Sequence, residues 1–217
     1  LRVMIASGLR SLKGASQRGG LDRPESIHRF RIGLRRLRSV LSAFSKVLPE
    51  DERRALNQRL GSVGRSYGRL REWDVFLSDT VQPLVESLPD EPSLIEIDGT
   101  AREARKRALP DTGGLRRQVD DIVTIIEEAE WLQRPAGAFD LEWQKDLKGF
   151  ASGLLAKRHR RIRKHLKNVD VADQEDFHKL RIEAKKIRYP TEMFGNIFEA
   201  KLADSYLDCV IAVQDVL

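Results

Sequence analysis

A twelve-residue segment occurs twice in this chain, and the second copy follows the first by 150 residues without a gap. Ile27-His28-Arg29-Phe30-Arg31-Ile32-Gly33-Leu34-Arg35-Arg36-Leu37-Arg38 matches Phe177-His178-Lys179-Leu180-Arg181-Ile182-Glu183-Ala184-Lys185-Lys186-Ile187-Arg188. Histidine meets histidine, and every basic position of the first copy meets a basic one. The same register pairs Phe44 with Phe194, Val63 with Val213 and Tyr67 with Leu217. A duplicated segment at constant spacing calls for two structurally related halves, each presenting the segment in the same setting.

The apolar spacing is helical along the whole chain. Strand-type alternation is scarce and no Asn-Gly or Asp-Gly hairpin signal occurs, so the expected class is all-α. The predicted helices are Leu1–Lys13, Ser26–Val47 with Ser26 as N-cap, Asp51–Arg71, Trp73–Leu88, Leu94–Leu109, Leu115–Leu132, Asp140–Asn168, Gln174–Phe194 and Phe198–Leu217. Breaks fall at Gly19–Pro24, Pro49, Pro89–Pro92, Pro110–Gly114 and Pro135–Gly137. Pro190, matching Val40 of the first copy, removes a backbone donor and should kink or end its helix. No linker is long or polar enough to separate independent domains. The expectation is a single domain over residues 1–217, with a first helical half over 1–110 and a second over 111–217.

On a helix with His28 at zero, Arg31, Arg35 and Arg38 fall near ~300°, ~340° and ~280° at about 100° per residue. Ile27, Phe30, Leu34, Leu37, Leu41 and Phe44 occupy roughly 160–260°, a core-facing stripe. Arg29 and Arg36 point to the opposite, solvated side. The second copy behaves alike: His178, Arg181, Lys185 and Arg188 share one edge, while Phe177, Leu180, Ala184, Ile187 and Phe194 form the core face. Like charges one turn apart repel each other, and no acid lies within either stripe by phase, Glu183 falling elsewhere on its helix. His28 to Arg38 spans roughly 15 Å at about 1.5 Å per residue. Arginine forks, lysine and histidine spaced along such a ladder suit an extended polyanion with regularly placed phosphates. The bland alternative is a histidine bonded at a helix start beside a solvated basic face. A further basic cluster, Lys157-Arg158-His159-Arg160-Arg161-Ile162-Arg163-Lys164-His165, puts Arg158, Arg161 and His165 within or beside its own core face. These three are added to the candidate site.

Charge distribution supports a local site over a generally sticky surface. The chain carries 39 Lys+Arg against 33 Asp+Glu, a net charge of +6. Val81–Asp146 holds fifteen acidic and eight basic residues, a net of −7, whereas Lys157–Arg188 holds twelve basic and five acidic, a net of +7. Ile27–Arg38 contains five arginines and no acid. No apolar run approaches the roughly 20 residues of a membrane span, and Leu1–Lys13, interrupted by arginines, does not read as a secretory signal. The chain starts at Leu1 rather than Met, so residues upstream are allowed for. One cysteine, Cys209, excludes an internal disulfide framework, fits a reducing, cytoplasmic compartment and is expected to be a small buried residue. The four histidines have no zinc-type spacing. Neither metal nor cofactor is expected, and Trp73, Trp131 and Trp143 read as core or interface residues.

The paired motif, His-x-x-Arg-x-x-x-[Arg/Lys]-[Arg/Lys]-x-Arg at His28–Arg38 and His178–Arg188, resembles the CHAD family, helical domains named for this histidine motif. Tyr189 follows the second copy as in the family. Tyr67-Gly68-Arg69-Leu70-Arg71-Glu72-Trp73-Asp74-Val75 is similar to the family's Leu-Gly-x-x-Arg-Asp-x-Asp-Val element, with Glu72 in place of one Asp. Arg71 and Asp74 are expected to pair with each other or with neighbouring groups. The resemblance implies two antiparallel four-helix bundles packed together with pseudo-twofold symmetry, the second incomplete at the C-terminus because a counterpart of Gly68–Leu88 is lacking. It also implies a basic central groove or pore that binds inorganic polyphosphate, some members being targeted to polyphosphate granules. The Glu-x-Glu-x-Lys motif of the hydrolase domains that often accompany the family is absent.

Three function classes are weighed. Polyphosphate binding without chemistry is favoured, with His28, Arg31, Arg35, Arg38, His178, Arg181, Lys185, Arg188, Arg158, Arg161 and His165 as ligands. A nucleic-acid binder would share the basic helices, but aromatics are 6% of the chain and none interleaves with the stripe to stack bases. An enzyme acting on phosphate esters would use histidines beside arginines. Yet no carboxylate cluster for Mg²⁺, no Gly-rich phosphate loop and no nucleophile with its base is visible.

Overall fold

The computed structural model describes residues 1–17, 22–133, 146–170 and 173–216, and among them every regular element is helical. In chain order these are α1 (Arg2–Gln17), α2 (Pro24–Ala43), α3 (Glu50–Ser66), α4 (Gly68–Phe76), α5 (Gln82–Ser87), α6 (Pro92–Arg107), α7 (Thr112–Glu128), α8 (Glu130–Gln133), α9 (Leu147–Leu166), α10 (Gln174–Phe194) and α11 (Ala200–Val216). Trp143 and the break expected at Pro135–Gly137 lie outside the described residues.

Local chemistry sets most helix ends. Asp111, Asp146 and Asp173 each stand one residue before a helix, and a carboxylate oxygen of each accepts a backbone N–H of the first turn, from Gly113 (3.0 Å), Gly149 (3.1 Å) and Glu175 (2.8 Å). Such caps satisfy amide groups that have no partner within the helix. The start of α2 differs from expectation: Pro24 occupies the first turn, where its missing N–H costs nothing, and Ser26 lies inside the helix. Between α4 and α5 the chain widens into a π-helical turn, Leu77–Val81. That turn ends two residues before Pro83, whose ring cannot follow a regular α-turn.

Pro190 neither ends nor interrupts α10, which runs on to Phe194. A proline at 190 leaves the carbonyl of Lys186, four residues back, without its helical N–H. Here Arg158 Nη1 of α9 donates to that carbonyl, and Arg158 Nη2 donates to Ser42 Oγ at 3.1 Å. Thr191 Oγ1 adds a bond to the Ile187 carbonyl at 2.9 Å. A guanidinium from the neighbouring helix stands in for the missing amide.

The described chain forms two compact units, one of Arg2–Arg38 with Pro49–Gln133, the other of Leu1, Ser39–Leu48 and Arg134–Leu217. Packing thus divides the chain differently from the halves 1–110 and 111–217 expected from the repeat, because α7 packs on α1 and α3 in the first unit. That unit's core is built from Ile5, Leu9 and Leu12 of α1, Ile27, Phe30, Leu34 and Leu37 of α2, and Leu56, Leu60 and Val63 of α3. Tyr67 meets Phe30 edge-on at 5.1 Å between ring centres. Trp131 is buried, its indole N–H donating to Glu52 at 2.8 Å. In the second unit Phe44 stacks on Phe150 at 4.9 Å, with Phe194 closing the ring cluster. Each large apolar side chain buried this way contributes about 1.5–3 kcal/mol.

The helix pair that carries the repeat is packed by different means in the two units. In the first, α1 and α2 approach closely through glycines. A Cβ on Gly8 would lie 2.7 Å from the Leu37 side chain, and one on Gly33 only 3.1 Å from the Leu12 backbone nitrogen. In the second, the positions 150 residues on are Arg158 and Glu183. Glu183 is buried on α10, with Oε1 2.7 Å from Lys186 Nζ and Oε2 3.4 Å from Arg161 Nε. Cys209, expected to be buried, is exposed on the outer side of α11, a helix that also leaves Leu202, Val213 and Val216 open.

Candidate functional site

The apolar stripe of α2 is as the phase requires: Ile27, Phe30, Leu34, Leu37, Leu41 and Phe44 are all buried. It fixes the rotation of the helix and so sets the basic edge at the border of the core. In the first unit His28, Arg35 and Arg38 are exposed and Arg31 is half-buried along that edge. Arg31 Nη1 donates to the Gly64 carbonyl at 3.3 Å, and Arg38 Nε donates to Asn57 Oδ1 at 3.0 Å, both on α3. These bonds anchor both guanidinium groups against α3.

His28 records the local field. Its pKa lies below the ordinary imidazole value, first because burial penalises the charged ring, then because Arg71, Arg35 and Arg31 repel a proton there. Arg71, from α4, was placed by sequence with Asp74 or other neighbours. It is half-buried, and no hydrogen bond or salt bridge of its side chain is found among the described residues. Asp74 is committed elsewhere: its Oδ1 lies 2.5 Å from Arg105 Nε, with the two side chains 1% and 17% exposed. Arg105 also donates to the Asp22 carbonyl at 2.7 Å. A pocket of about 830 Å³ opens here, lined among others by His28, Arg71, Asp74, Arg102, Arg105 and Lys106. Arg102, Arg105 and Lys106 were missed from sequence. Their i, i+3, i+4 spacing on α6 puts them on one helical face, a signal masked by the acidic composition around them.

In the second unit His178 and Arg181 are exposed and Lys185 and Arg188 half-buried along one edge of α10. Arg188 donates to Glu192 at 2.7 Å and to Gln214 at 3.2 Å. The stripe is therefore not free of acids, since Glu192, one turn on, neutralises its last member. Arg158 and Arg161 do not join this edge. They meet Lys186 and Glu183, which lie across the core stripe on the other border of α10. His165 also faces that border, where its charge lowers the pKa of Asp176 after the larger effects of bonds from Lys179 and the Asp170 amide. For Arg158, burial depresses the guanidinium pKa, Glu183 opposes the shift and Arg161 adds to it. Around this seam Lys46, Lys157, Arg158, Arg161, Glu183 and Lys186 line a separate recess of about 540 Å³. Arg158 itself donates to a backbone carbonyl of α10 and to Ser42.

Among the described residues no group of three or more His, Cys, Asp or Glu is placed to hold a metal ion, and no helix is long and apolar enough to cross a membrane. The family model of the CHAD domain matches residues 4–217. The chain belongs to the CHAD domain family. A crystal structure of the CHAD domain from the plant Ricinus communis has the same fold, with a TM-score of 0.74 and 22% identity over 99% of this chain and 71% of that one. No functionally curated protein matches the chain. As a CHAD domain, the protein carries both histidine motifs on helices α2 and α10, each at the edge of a buried stripe.

Proposed function

We propose that this CHAD domain binds long-chain inorganic polyphosphate reversibly and without altering it. The observation that carries the reading is the basic edge of α2, with His28, Arg31, Arg35 and Arg38 set along the border of a buried apolar stripe and Arg71 lining the same pocket as His28. Cations held this close repel one another, and an anion relieves them. A chain of phosphates laid along His28, Arg31, Arg35 and Arg38 would meet one cation per helical turn over roughly 15 Å. His178, Arg181 and Lys185 offer a similar edge in the second unit. Arginine-rich helices alone would also suit nucleic acid. The absence of aromatic groups on the basic edge of α2 favours a ligand without bases to stack. No nucleophile with an orienting base accompanies the histidines, which favours binding over chemistry. A cytoplasmic or granule-associated location accompanies this reading.

Polyphosphate, single-stranded RNA and duplex DNA titrated at one ionic strength test it. The chain should prefer polyphosphate, and changing Arg31, Arg35, Arg181 and Lys185 together to Ala should abolish that preference. Affinity should fall with salt, with a log–log slope of about 0.7–0.9 per phosphate neutralised, by analogy with nucleic acids. Equal affinity for the three polymers, or an unaffected variant, refutes the reading. Release of phosphate in the presence of Mg²⁺ would show an enzyme instead.

A further inference from the structure

The pocket beside His28 differs from the ladder in geometry. Along α2 the cations follow one line, but here they converge from three helices: His28 from α2, Arg71 from α4, and Arg102, Arg105 and Lys106 from α6. The wall carries five full cations, counting Arg29, against two carboxylates, Glu25 and Asp74. Asp74 does little to repel an incoming anion, because its buried carboxylate is paired with Arg105 and holds it in place. Glu25 is occupied by Arg29 at 3.3 Å. Arg102 and Lys106 rest on Asp98 and Glu103 in exposed pairs along their own helix, at 2.7 Å in each case. Pairs of that kind are worth little and are readily exchanged for a stronger anion. Among the described residues Arg71 has no such pair to give up.

A concentrated cluster suits a concentrated charge. Inside a polyphosphate chain each phosphate bears about one negative charge. A terminal phosphoryl group, with a second pKa near 6, bears about −1.5 to −2 at neutral pH and offers three free oxygens. The pocket also lies at the N-terminal end of the α2 ladder and shares His28 with it, so a chain lying along Arg38, Arg35 and Arg31 runs into it.

We propose that this pocket captures the end of the polyphosphate chain: Arg71, Arg102, Arg105 and Lys106, with His28, bind the terminal phosphoryl group. The inference rests on the polyphosphate reading and adds to it a preference for chain ends. It predicts that saturation follows the concentration of chain ends rather than of total phosphate.

The test compares one long-chain polyphosphate preparation with the same preparation after both ends are capped as phosphoramidates. Capping leaves the interior unchanged and removes the extra terminal charge. The unaltered chain should bind the capped polymer about tenfold more weakly, the loss of about 1.4 kcal/mol that one strong charge-assisted contact supplies. A variant with Arg71→Ala, Arg102→Ala and Lys106→Ala should bind both polymers alike, at the level of the capped one. A control losing the same charge elsewhere, Arg36→Ala, Arg54→Ala and Arg117→Ala, should keep the distinction. Equal binding of capped and uncapped polymer by the unaltered chain overturns the proposal while leaving the polyphosphate reading standing. So does an equal loss for both polymers in the pocket variant, which would make these residues part of the interior track. Binding of neither polymer would remove the reading itself, and this inference with it.

Discussion

The bond between Arg158 and the carbonyl of Lys186 can be weighed because Pro190 makes it necessary. In unaltered α10 the carbonyl has no helical amide to accept from, so replacing Arg158 by Met leaves it without a protein partner. A hydrogen bond from a charged donor is worth about 1.5–3 kcal/mol, and because Arg158 is half-buried the lower part of that range applies, about 2 kcal/mol. In Pro190→Ala the new N–H reaches the same carbonyl. Arg158→Met then forfeits only its contact with Ser42, about 0.5–1 kcal/mol. The Ser42 contact is lost in both backgrounds and cancels, so the coupling between the two substitutions should be about 2 kcal/mol, well above the roughly 0.5 kcal/mol scatter of independent sites. Pro190→Ala alone regains up to about 3 kcal/mol of helix propensity. It loses two buried ring methylenes, roughly 1.6 kcal/mol, and makes the Arg158 bond redundant, so its net effect is close to neutral. Urea unfolding of the unaltered chain, both single variants and the double variant, compared at equal m-values, gives the cycle. Additivity within 0.5 kcal/mol would refute the idea that Arg158 substitutes for the missing amide.

Two other outcomes follow from groups already described. Tyr67 is fully buried, its hydroxyl has no hydrogen-bond partner among the described residues, and burial raises its pKa. Tyr67→Phe keeps the edge-on contact with Phe30 and removes an unsatisfied polar atom, so urea unfolding should show unchanged stability or a gain of about 1 kcal/mol, and a loss of 2 kcal/mol or more would reveal a hidden partner. His28 has a depressed pKa and is largely neutral at pH 7 in the free chain, whereas bound phosphate favours its protonated form. Affinity for polyphosphate should therefore rise as pH falls through the bound-state pKa and level off below the free-state one. His28→Gln should flatten that part of the profile, as followed by fluorescence titration across pH 5–8.

How much of this was legible in the sequence depended on whether the cause was local. The core stripe of α2 was readable because rotation along a helix is fixed by geometry, and all six of its members are buried. The caps at Asp111 and Asp146 act within three residues, yet the predicted starts missed them, because apolar spacing marks the face of a helix better than its end. What escaped was long-range. The rescue of Pro190 comes from Arg158 on another helix, and the partner of Asp74 is Arg105, 31 positions away. Adding Arg158 and Arg161 to the candidate site rested on a local view of the same kind. Their own helix allowed it, and only the packing of α9 against α10 shows that they face Glu183. Glu183 was placed off the basic stripe by phase; Lys186, one turn on, was within reach of the sequence, whereas Arg161, its second cation, comes from another helix.

The two ways of packing the repeated helix pair make the copies non-interchangeable. In the first unit α1 and α2 meet through Gly8 and Gly33 with no room for a side chain, while the matching places in the second are taken by Arg158 and Glu183. Gly33→Glu alone would crowd the α1 backbone with no cation opposite, and Glu183→Gly alone would leave Arg158 and Arg161 side by side on α9 with no acid across an emptied seam. Any transplant of one motif helix into the other's place would have to move its partner helix as well. The pair of helices, and not the histidine motif, is the smallest part that could be exchanged.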